Sequence, residues 1–449
     1  MRRRNFLMGA GGLAGLSMTG GLPFLSSLAH AGSALRDDRY FVFCYFNGAW
    51  DILLGLDPRD PSAFRLDNVD QTLIEPAYDV VEGLPTDRLI DTARDGMRFG
   101  PAIGGMAAHA DRLAVVRGMS MDTLNHPVGM RYFLTGKAPA GNLANGSSMA
   151  TWMSALLGAG EPVPNLVFDL ETYNTDQDQW ASGLRVSSVD DLVRALKPSP
   201  FAISDAEAEQ IDVLLSQFEQ GGRTLRSEVL TAAAGARAGA RELVALGFDS
   251  ALDLAADTPE MEALRGFHGV STSDLGSASA QAAAAVLALT TGMSRCVSVQ
   301  AASGLDTHNE NWSQEHGVNQ QAGWDVVARL MDDLGRRQFR DTGDSWLDHT
   351  TILCFSEFSR TSRRNANGGR DHSLTNACLL AGAGIRPGVY GASSDYNMEP
   401  RAVDLATGVL DPGGEIIRPQ NIFRALLKSA GVADDLPRLR ADAFDAILS

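Results

Sequence analysis

The sequence has too few basic residues for a nucleic-acid-binding protein. Its 449 residues include 38 Lys and Arg against 55 Asp and Glu, which gives a formal net charge of -17. Binding to DNA or RNA depends on clustered positive charge, so we expect no nucleic-acid partner. The hydrophobic share of 44% and the charged share of 21% are typical of globular proteins and indicate a packed core.

Cysteine is also scarce. All four cysteines lie within apolar segments that we interpret as buried strands: Cys44, Cys296, Cys354 and Cys378. A buried free thiol behaves as a small hydrophobic side chain. No two of them form a C-x-x-C pair, which argues against the common cysteine-based zinc motifs. Reduced thiols in the core fit a protein that folds before it is exported.

Long apolar runs are missing beyond the N-terminus. No stretch of about 18 apolar residues is free of charge there, so we expect no membrane span in the mature protein. Residues 1–31 have the parts of an export signal: the pair Arg3-Arg4, a weakly apolar stretch broken by glycines, and the cleavage site Ala29-His30-Ala31. We predict a twin-arginine signal peptide over 1–31, export of the folded chain by the twin-arginine machinery, and a periplasmic or extracellular location.

The remainder, 32–449, is predicted to form a single α/β domain. Residues 40–46 are a continuous apolar and aromatic run, typical of a strand buried on both faces. Further strands are predicted at 113–117, 165–169, 296–300, 350–355 and 377–381, and helices at 277–289, 319–337 and 420–429. This alternation predicts a mostly parallel central sheet with helices on both faces. A breaker-poor segment at about 204–265 predicts a helical insertion, with a hairpin turn at Gly221-Gly222.

Acids and histidines gather near the ends of the predicted strands. Asp51 follows the first strand, Asp306 and His308 follow the strand at 296–300, Glu357 follows 350–355, and His372 precedes the strand at 377–381. Ligands of open α/β sheets bind beyond the carboxyl ends of the strands. Carboxylates and imidazoles that meet at one edge can bind one divalent metal or two. Each acid taken singly also fits a turn or a helix cap.

Asn125 and His126 stand where the strand at 113–117 leads into a predicted helix. A polar residue at such a turn lies where a nucleophile or an anion meets the helix N-terminal amides. An equally open interpretation is a helix-capping Asn beside a solvated His.

The loop at 359–370 is rich in arginine, at Arg360, Arg363, Arg364 and Arg370. These side chains either bind a phosphate, sulfate or carboxylate or neutralise the site's own acids. We favour anion contact for Arg360.

Together these motifs resemble a known family. They are Asn-Gly-Ala-Trp-Asp at 47–51, Leu-Asp-Thr-His at 305–308, Ser-Glu-Phe-Ser-Arg-Thr at 356–361 and Gly-Gly-Arg-Asp-His at 368–372, with Asn125-His126, Thr135-Gly136 and Ser148-Met149 between them. In this order they resemble the exported bacterial family catalogued as domain of unknown function 1501. That family is similar to the alkaline phosphatase-like superfamily, which includes sulfatases and cofactor-independent phosphoglycerate mutases.

The resemblance implies a fold and a ligand set. The fold is the alkaline phosphatase-like α/β domain. One divalent metal (Zn, Ca, Mg or Mn) would be bound by Asp306, His308 and His372, and a second by Asp51 and Glu357.

The chain also departs from the superfamily pattern. Phe358 stands where the superfamily commonly has a second ligand, and His126 stands in the slot of the nucleophilic Ser or Thr. His126 could act there as nucleophile, as ligand, or as acid or base.

Two functions remain open at this stage. The first is a metal-dependent hydrolase or transferase acting on an anionic phospho- or sulfo-ester, small or polymeric, with His126, Asn125 and Arg360 in catalytic roles. The second is a catalytically degenerate exported protein that binds or assembles a cell-surface polymer or a partner protein, such as an exported protein encoded beside it.

Overall fold

The computed structural model describes residues 38–141, 143–197, 205–220, 243–432 and 441–449. The predicted signal peptide and the predicted turn at Gly221-Gly222 lie outside these residues. Within the part of the chain that is described, no helix combines the length and apolar character needed to cross a membrane.

Eight strands form the central sheet. They are β1 (Tyr40–Phe46), β2 (Leu113–Ser120), β3 (Asn165–Phe168), β4 (Leu184–Val186), β5 (Cys296–Ala302), β6 (Thr350–Phe355), β7 (Thr375–Gly382) and β8 (Gly388–Gly391). Their order across the sheet is β8-β2-β7-β6-β1-β5-β3-β4. β1 pairs in parallel with β5 and β6, and all of its residues are buried. Its apolar run therefore reflects burial on both faces, as predicted.

One strand runs against the others. β7 pairs antiparallel with β2 and β6, whereas the remaining pairs are parallel. The N-terminal end of β7 therefore lies at the same edge as the carboxyl ends of the parallel strands. His372, which precedes β7, reaches that edge for this reason. The predicted mostly parallel sheet is confirmed.

Nine helices longer than one turn are described. They are α1 (His126–Thr135), α2 (Met149–Leu157), α3 (Val189–Leu196), α4 (Asp205–Gln220), α5 (Phe248–Leu252), α6 (Pro259–His268), α7 (Ala278–Thr290), α8 (Gly317–Arg336) and α9 (Pro419–Ser429). The predicted insertion at about 204–265 coincides with α4, α5 and most of α6. The fold is completed by a 12-residue 3-10 segment, Pro101–Arg112, interrupted at Gly104, by shorter 3-10 turns, by the π-helical turn Trp312–His316 before α8 and by the single helical turn Val69–Thr72. Two ribbons also form, Ile90–Asp91 with Arg98–Phe99 and Ser359–Arg360 with His372–Ser373.

Helices cover both faces of the sheet, because β1 sends alternate side chains into two separate cores. Val42 and Cys44 join a core that includes α7 and α8 residues, while Phe41 and Phe43 join one that includes α1, α2 and α9 residues. This is the period-two pattern of a strand with two buried faces.

Candidate metal site

Two glycines let three loops close over the carboxyl edge of the sheet. A Cβ atom on Gly48 would lie 2.7 Å from the backbone nitrogen of Asp306, and Gly48 has a φ of +108°. A Cβ atom on Gly369 would lie 2.2 Å from the carbonyl carbon of His308. Since only glycine fits these approaches, the loops after β1 and before β7 pack directly on the segment that carries Asp306 and His308.

α1 brings His126 to the same place. Asn125 caps this helix, because its Oδ1 accepts a hydrogen bond from Val128 N at 3.2 Å. A Cβ atom on Gly129 would lie 2.4 Å from the carbonyl oxygen of Glu357, so the first turn of α1 touches the loop after β6. The structure thus gives Asn125 the capping role that the sequence left open.

Three imidazoles and one carboxylate converge at this edge. His372 Nε2 lies 3.0 Å from Nε2 of both His126 and His308. Asp306 Oδ1 lies 3.3 Å from His126 Nε2, 3.0 Å from His308 Nε2 and 3.5 Å from His372 Nε2. We call these four residues the histidine cluster. Of the predicted ligands, it unites Asp306, His308 and His372, and it adds His126.

The other ring nitrogen of each histidine faces an oxygen. His126 Nδ1 lies 2.6 Å from Glu357 Oε1, His308 Nδ1 lies 2.9 Å from Asp371 Oδ1, and His372 Nδ1 lies 2.8 Å from the Leu124 carbonyl oxygen. A carbonyl or carboxylate oxygen accepts, so each Nδ1 donates its proton. In a neutral imidazole the lone pair then lies on Nε2. The ligand atoms of His126, Asp306 and His372 all lie within 4.8 Å of one another, while His308 Nε2 also lies 3.3 Å from the donor Arg360 Nη1.

Neighbouring side chains keep Asp306 and Asp371 ionised. Partial burial by itself raises the pKa of Asp306, but the hydrogen bond and the charge of Arg360 outweigh it and hold that pKa well below its ordinary value. The hydrogen bond from His308 lowers the pKa of Asp371. Burial lowers the pKa of His372, which favours its neutral form.

Glu357, predicted as a ligand, contacts His126 instead of facing the cluster directly. Its side chain is fully buried, and its Oε1 also accepts a hydrogen bond from Gly48 N at 3.0 Å. The next residue, Phe358, packs its ring against two imidazoles, with centroid distances of 4.7 Å to His126 and 4.6 Å to His372.

Asp51 lies apart from the cluster. It is fully buried, its Oδ2 lies 3.2 Å from Arg370 Nη1 and accepts a hydrogen bond from Trp312 Nε1 at 3.0 Å, and its Oδ1 accepts one from Leu53 N at 2.9 Å. Asp51 and Glu357 thus contact different partners, Arg370 and His126. The second metal bound by these two acids, implied by the resemblance, stays a prediction.

Every arginine of the loop at 359–370 is paired with a carboxylate. The pairs are Arg360–Asp306, Arg363–Asp70, Arg364–Glu75 and Arg370–Asp51. The Arg360 side chain is fully buried, with its Nη2 2.6 Å from Asp306 Oδ1 and its Nε donating to the Ala49 carbonyl at 3.0 Å. The arginines thus neutralise acids, which was the alternative to the anion contact that we favoured.

Sequence reasoning missed one buried support of the cluster. His316 is fully buried, with Nδ1 2.7 Å from Thr307 Oγ1 and Nε2 3.1 Å from Gln320 Oε1. Desolvation lowers the pKa of His316 to about 4. Thr307 stands between Asp306 and His308, so this contact fixes the segment that carries both. The i, i+4 spacing of His316 and Gln320 was the only sequence signal.

The family follows from the sequence match. Residues 40–408 match the family model described as "Protein of unknown function (DUF1501)". The chain belongs to the DUF1501 family. No curated protein matches this DUF1501 chain.

Two solved structures are similar to this DUF1501 protein. A protein in the alkaline phosphatase superfamily from Vibrio parahaemolyticus is 9% identical, with 98% of this chain and 78% of that chain covered and a TM-score of 0.36. The C-terminal periplasmic domain of EcEptC from Escherichia coli, solved as a complex with Zn, is 10% identical, with 90% and 86% covered and a TM-score of 0.33. At these scores the similarity does not indicate which residues act in this chain.

Proposed function

We propose that this DUF1501 protein is an exported metal-dependent hydrolase or transferase of phospho- or sulfo-esters, with one divalent ion bound by the histidine cluster. The convergence of three Nε2 atoms and Asp306 Oδ1 carries the proposal. Nitrogen lone pairs 3.0 Å apart repel one another unless a proton or a cation lies between them. One cation bound by all four atoms removes that repulsion.

The donor set fits a metal of the zinc type. Four ligand atoms at about 2.0–2.2 Å from a tetrahedral centre would lie about 3.3–3.6 Å apart, close to the 3.0–3.5 Å distances of every pair in the cluster except His126 with His308. Three imidazoles favour zinc and similar transition metals, whereas calcium and magnesium prefer oxygen ligands. Of the metals expected from the sequence, the geometry favours Zn.

The charges also fit a divalent ion. Asp306, Glu357 and Asp371 are carboxylates in or next to the cluster, and Arg360 is the guanidinium that contacts it. Three carboxylates and one guanidinium leave two negative charges uncompensated when the histidines are neutral. A dication balances them.

A bound divalent ion would supply Lewis acidity toward an ester oxygen. The chain's own residues would orient that ion and keep its ligands deprotonated. His126 then serves as a ligand, because its Nδ1 is committed to Glu357 and its Nε2 faces the cluster. We therefore propose no covalent step on His126.

A second function is favoured by the same loops. No Ser or Thr stands in the nucleophile slot, and the arginines of the loop at 359–370 are paired with acids. These features suit an exported protein that binds a metal but assembles or binds a surface polymer or partner without turnover. Activity on esters separates the two functions.

Metal analysis of protein purified after native export tests the proposal. We expect about one equivalent of divalent metal per chain, lost on dialysis against a chelator, and far less in His308→Ala and His372→Ala. Less than about a tenth of an equivalent in the wild type, with no uptake of added Zn²⁺, would contradict the metal site.

A screen of aryl phosphates, phosphodiesters and sulfate esters decides between the two functions. Turnover that requires the metal supports the hydrolase. Stoichiometric metal without turnover of any ester class supports the binding or assembly role.

Export by the twin-arginine route is a separate part of the proposal. Replacing Arg3 and Arg4 with Lys should retain the chain in the cytoplasm, because paired arginines define this signal. Cell fractionation measures the outcome, and unchanged export of the double variant would exclude the route.

A further inference from the structure

We infer that Glu357 is not a metal ligand but a buried anchor that holds His126 in the orientation and tautomer needed for metal binding. This inference rests on the proposed metal site. It assigns Glu357, and with it Tyr45 and Gly48, a positioning role.

The surroundings of Glu357 are those of a fixed acceptor. Its side chain is fully buried. Oε1 accepts hydrogen bonds from His126 Nδ1 at 2.6 Å and from Gly48 N at 3.0 Å, and Oε2 lies 2.8 Å from Ser356 Oγ. The Tyr45 hydroxyl, which donates to Asn47 Oδ1 at 3.4 Å, lies close to this carboxylate. Burial, and after it the charge of Glu357, raises the pKa of Tyr45 well above its ordinary value, so the hydroxyl stays protonated.

The contacts of Glu357 engage its carboxylate within the protein. Oε1 accepts from His126 Nδ1 and Gly48 N, and Oε2 lies beside Ser356 Oγ, which also lies 2.7 Å from the Phe46 carbonyl oxygen. The oxygen that faces His126 therefore already has two donors. The same contacts prevent the side chain from turning away from His126.

Holding the Nδ1 proton decides what His126 presents to the cluster. With Nδ1 donating to Glu357, the lone pair lies on Nε2, which points at His372 and Asp306. A carboxylate hydrogen bonded to the far nitrogen of a ligand imidazole orients the ring and strengthens it as a donor. Phe358 packs on the same ring and restricts its tilt.

Asp371 provides an internal comparison. It holds His308 through the same kind of contact, at 2.9 Å, but its side chain is 56% exposed whereas that of Glu357 is 0% exposed. Water can replace an exposed acceptor but cannot easily reach a buried one. Glu357 should therefore contribute more to metal affinity than Asp371.

Cobalt binding to the purified mature protein tests the inference. Co²⁺ is the probe because its visible spectrum reports the number and kind of ligands, and competition with Zn²⁺ gives relative affinities. Glu357→Gln should weaken Co²⁺ binding about 10–100-fold and change its spectrum, and Asp371→Asn should weaken it less. Glu161→Gln, which alters another buried carboxylate, one paired with Arg295, should leave affinity and spectrum unchanged.

A double variant separates positioning from a general effect on the fold. In a His126→Ala background, Glu357→Gln should cause no further loss of Co²⁺ affinity, because Glu357 acts through His126. A full additional loss in that background would overturn the inference, as would wild-type affinity and spectrum in the single variant. Absence of Co²⁺ and Zn²⁺ binding by the wild type would instead overturn the proposed metal site.

If Glu357→Gln does not fold, Tyr45→Phe keeps the test open. It removes the protonated hydroxyl close to Glu357 and leaves the carboxylate in place. We expect Co²⁺ affinity to fall several-fold with a small spectral change. Unchanged affinity and spectrum in a folded Tyr45→Phe variant would overturn the inference.

Discussion

Asp51 and Asp306 follow neighbouring strands of one sheet, β1 and β5, and the structure gives them opposite surroundings. Asp51 is fully buried against an equally buried Arg370, so the two charges cancel within a closed pair. Asp306 is 53% exposed and faces three imidazoles as well as Arg360. Position at a strand end therefore does not decide whether an acid binds a ligand. That depends on which side chains the neighbouring loops place against the acid.

The two regions should respond in opposite ways to the same substitution. The Asp51 region is a closed pair whose disruption costs folding free energy. The histidine cluster has uncompensated charge and lone pairs, so disrupting it should cost mainly ligand affinity and less stability than disrupting the Asp51 pair.

Asp51→Asn should have the largest effect, a loss of about 3–5 kcal/mol in the free energy of unfolding, because it leaves the buried Arg370 charge without its partner. Urea denaturation of the metal-free protein measures it. A loss below about 1 kcal/mol would show that the backbone carbonyls around Arg370 are sufficient partners.

The buried His316 should make the free energy of unfolding depend on pH. Desolvation lowers the pKa of His316 to about 4 in the folded state, against about 6.5 in the unfolded chain. The unfolded state therefore takes up the proton first, and stability is lost as the pH falls from about 6.5 toward 4, on the order of 3 kcal/mol in total.

Urea denaturation between pH 7 and pH 4 checks this, with His316→Gln as the matched variant because glutamine keeps a polar group but does not titrate. The wild type should lose more stability over this window than the variant. Parallel pH profiles of the two proteins would show that His316 does not titrate there.

Asp306→Asn should weaken metal binding about 100-fold, which corresponds to about 2.7 kcal/mol. Loss of a residue that is hydrogen bonded to a metal ligand costs about 10–100-fold, and loss of the ligand carboxylate itself should cost at least as much. The unfolding free energy of the metal-free protein should fall by about 1–3 kcal/mol, less than in Asp51→Asn, because Asp306 is half-exposed although its partner Arg360 is fully buried. Competition titration with Zn²⁺ and urea denaturation measure the two quantities. If Asp306→Asn loses stability but keeps its metal affinity, Asp306 behaves like Asp51 and the proposed difference between the two regions is wrong.

The sequence was sufficient for the sheet and for most of the cluster for a physical reason. Buried strands have apolar runs that periodicity detects, so β1 and β6 have the predicted bounds. The edge strands β4 and β8 are short and not fully buried, and they leave no such run. Strand ends located Asp306, His308 and His372 because they share one edge.

The sequence could not show which acid faces the histidine cluster and which acids pair with other side chains. Asp51 and Glu357 each follow a buried strand, as Asp306 does. What separates them is the side chain that meets each one: Arg370 for Asp51, and His126 for Glu357. Those partners come from segments distant in sequence, and the close approach at Gly48, Gly129 and Gly369 brings them together. The spacing of residues along the sequence does not show these contacts between distant segments.

Asn125 should have the smallest effect and tests whether a residue beside the cluster acts by chemistry or by folding. Its side chain caps α1 through Val128 N, so Asn125→Ala should lower the unfolding free energy by about 1 kcal/mol. Asn125→Ser restores a capping oxygen of similar strength but has no amide, and it should recover that stability. Metal affinity, and any ester turnover, should be equal in Asn125→Ser and the wild type. A Ser variant that is stable but loses turnover would return Asn125 to a catalytic role, because only the amide would then distinguish the two proteins.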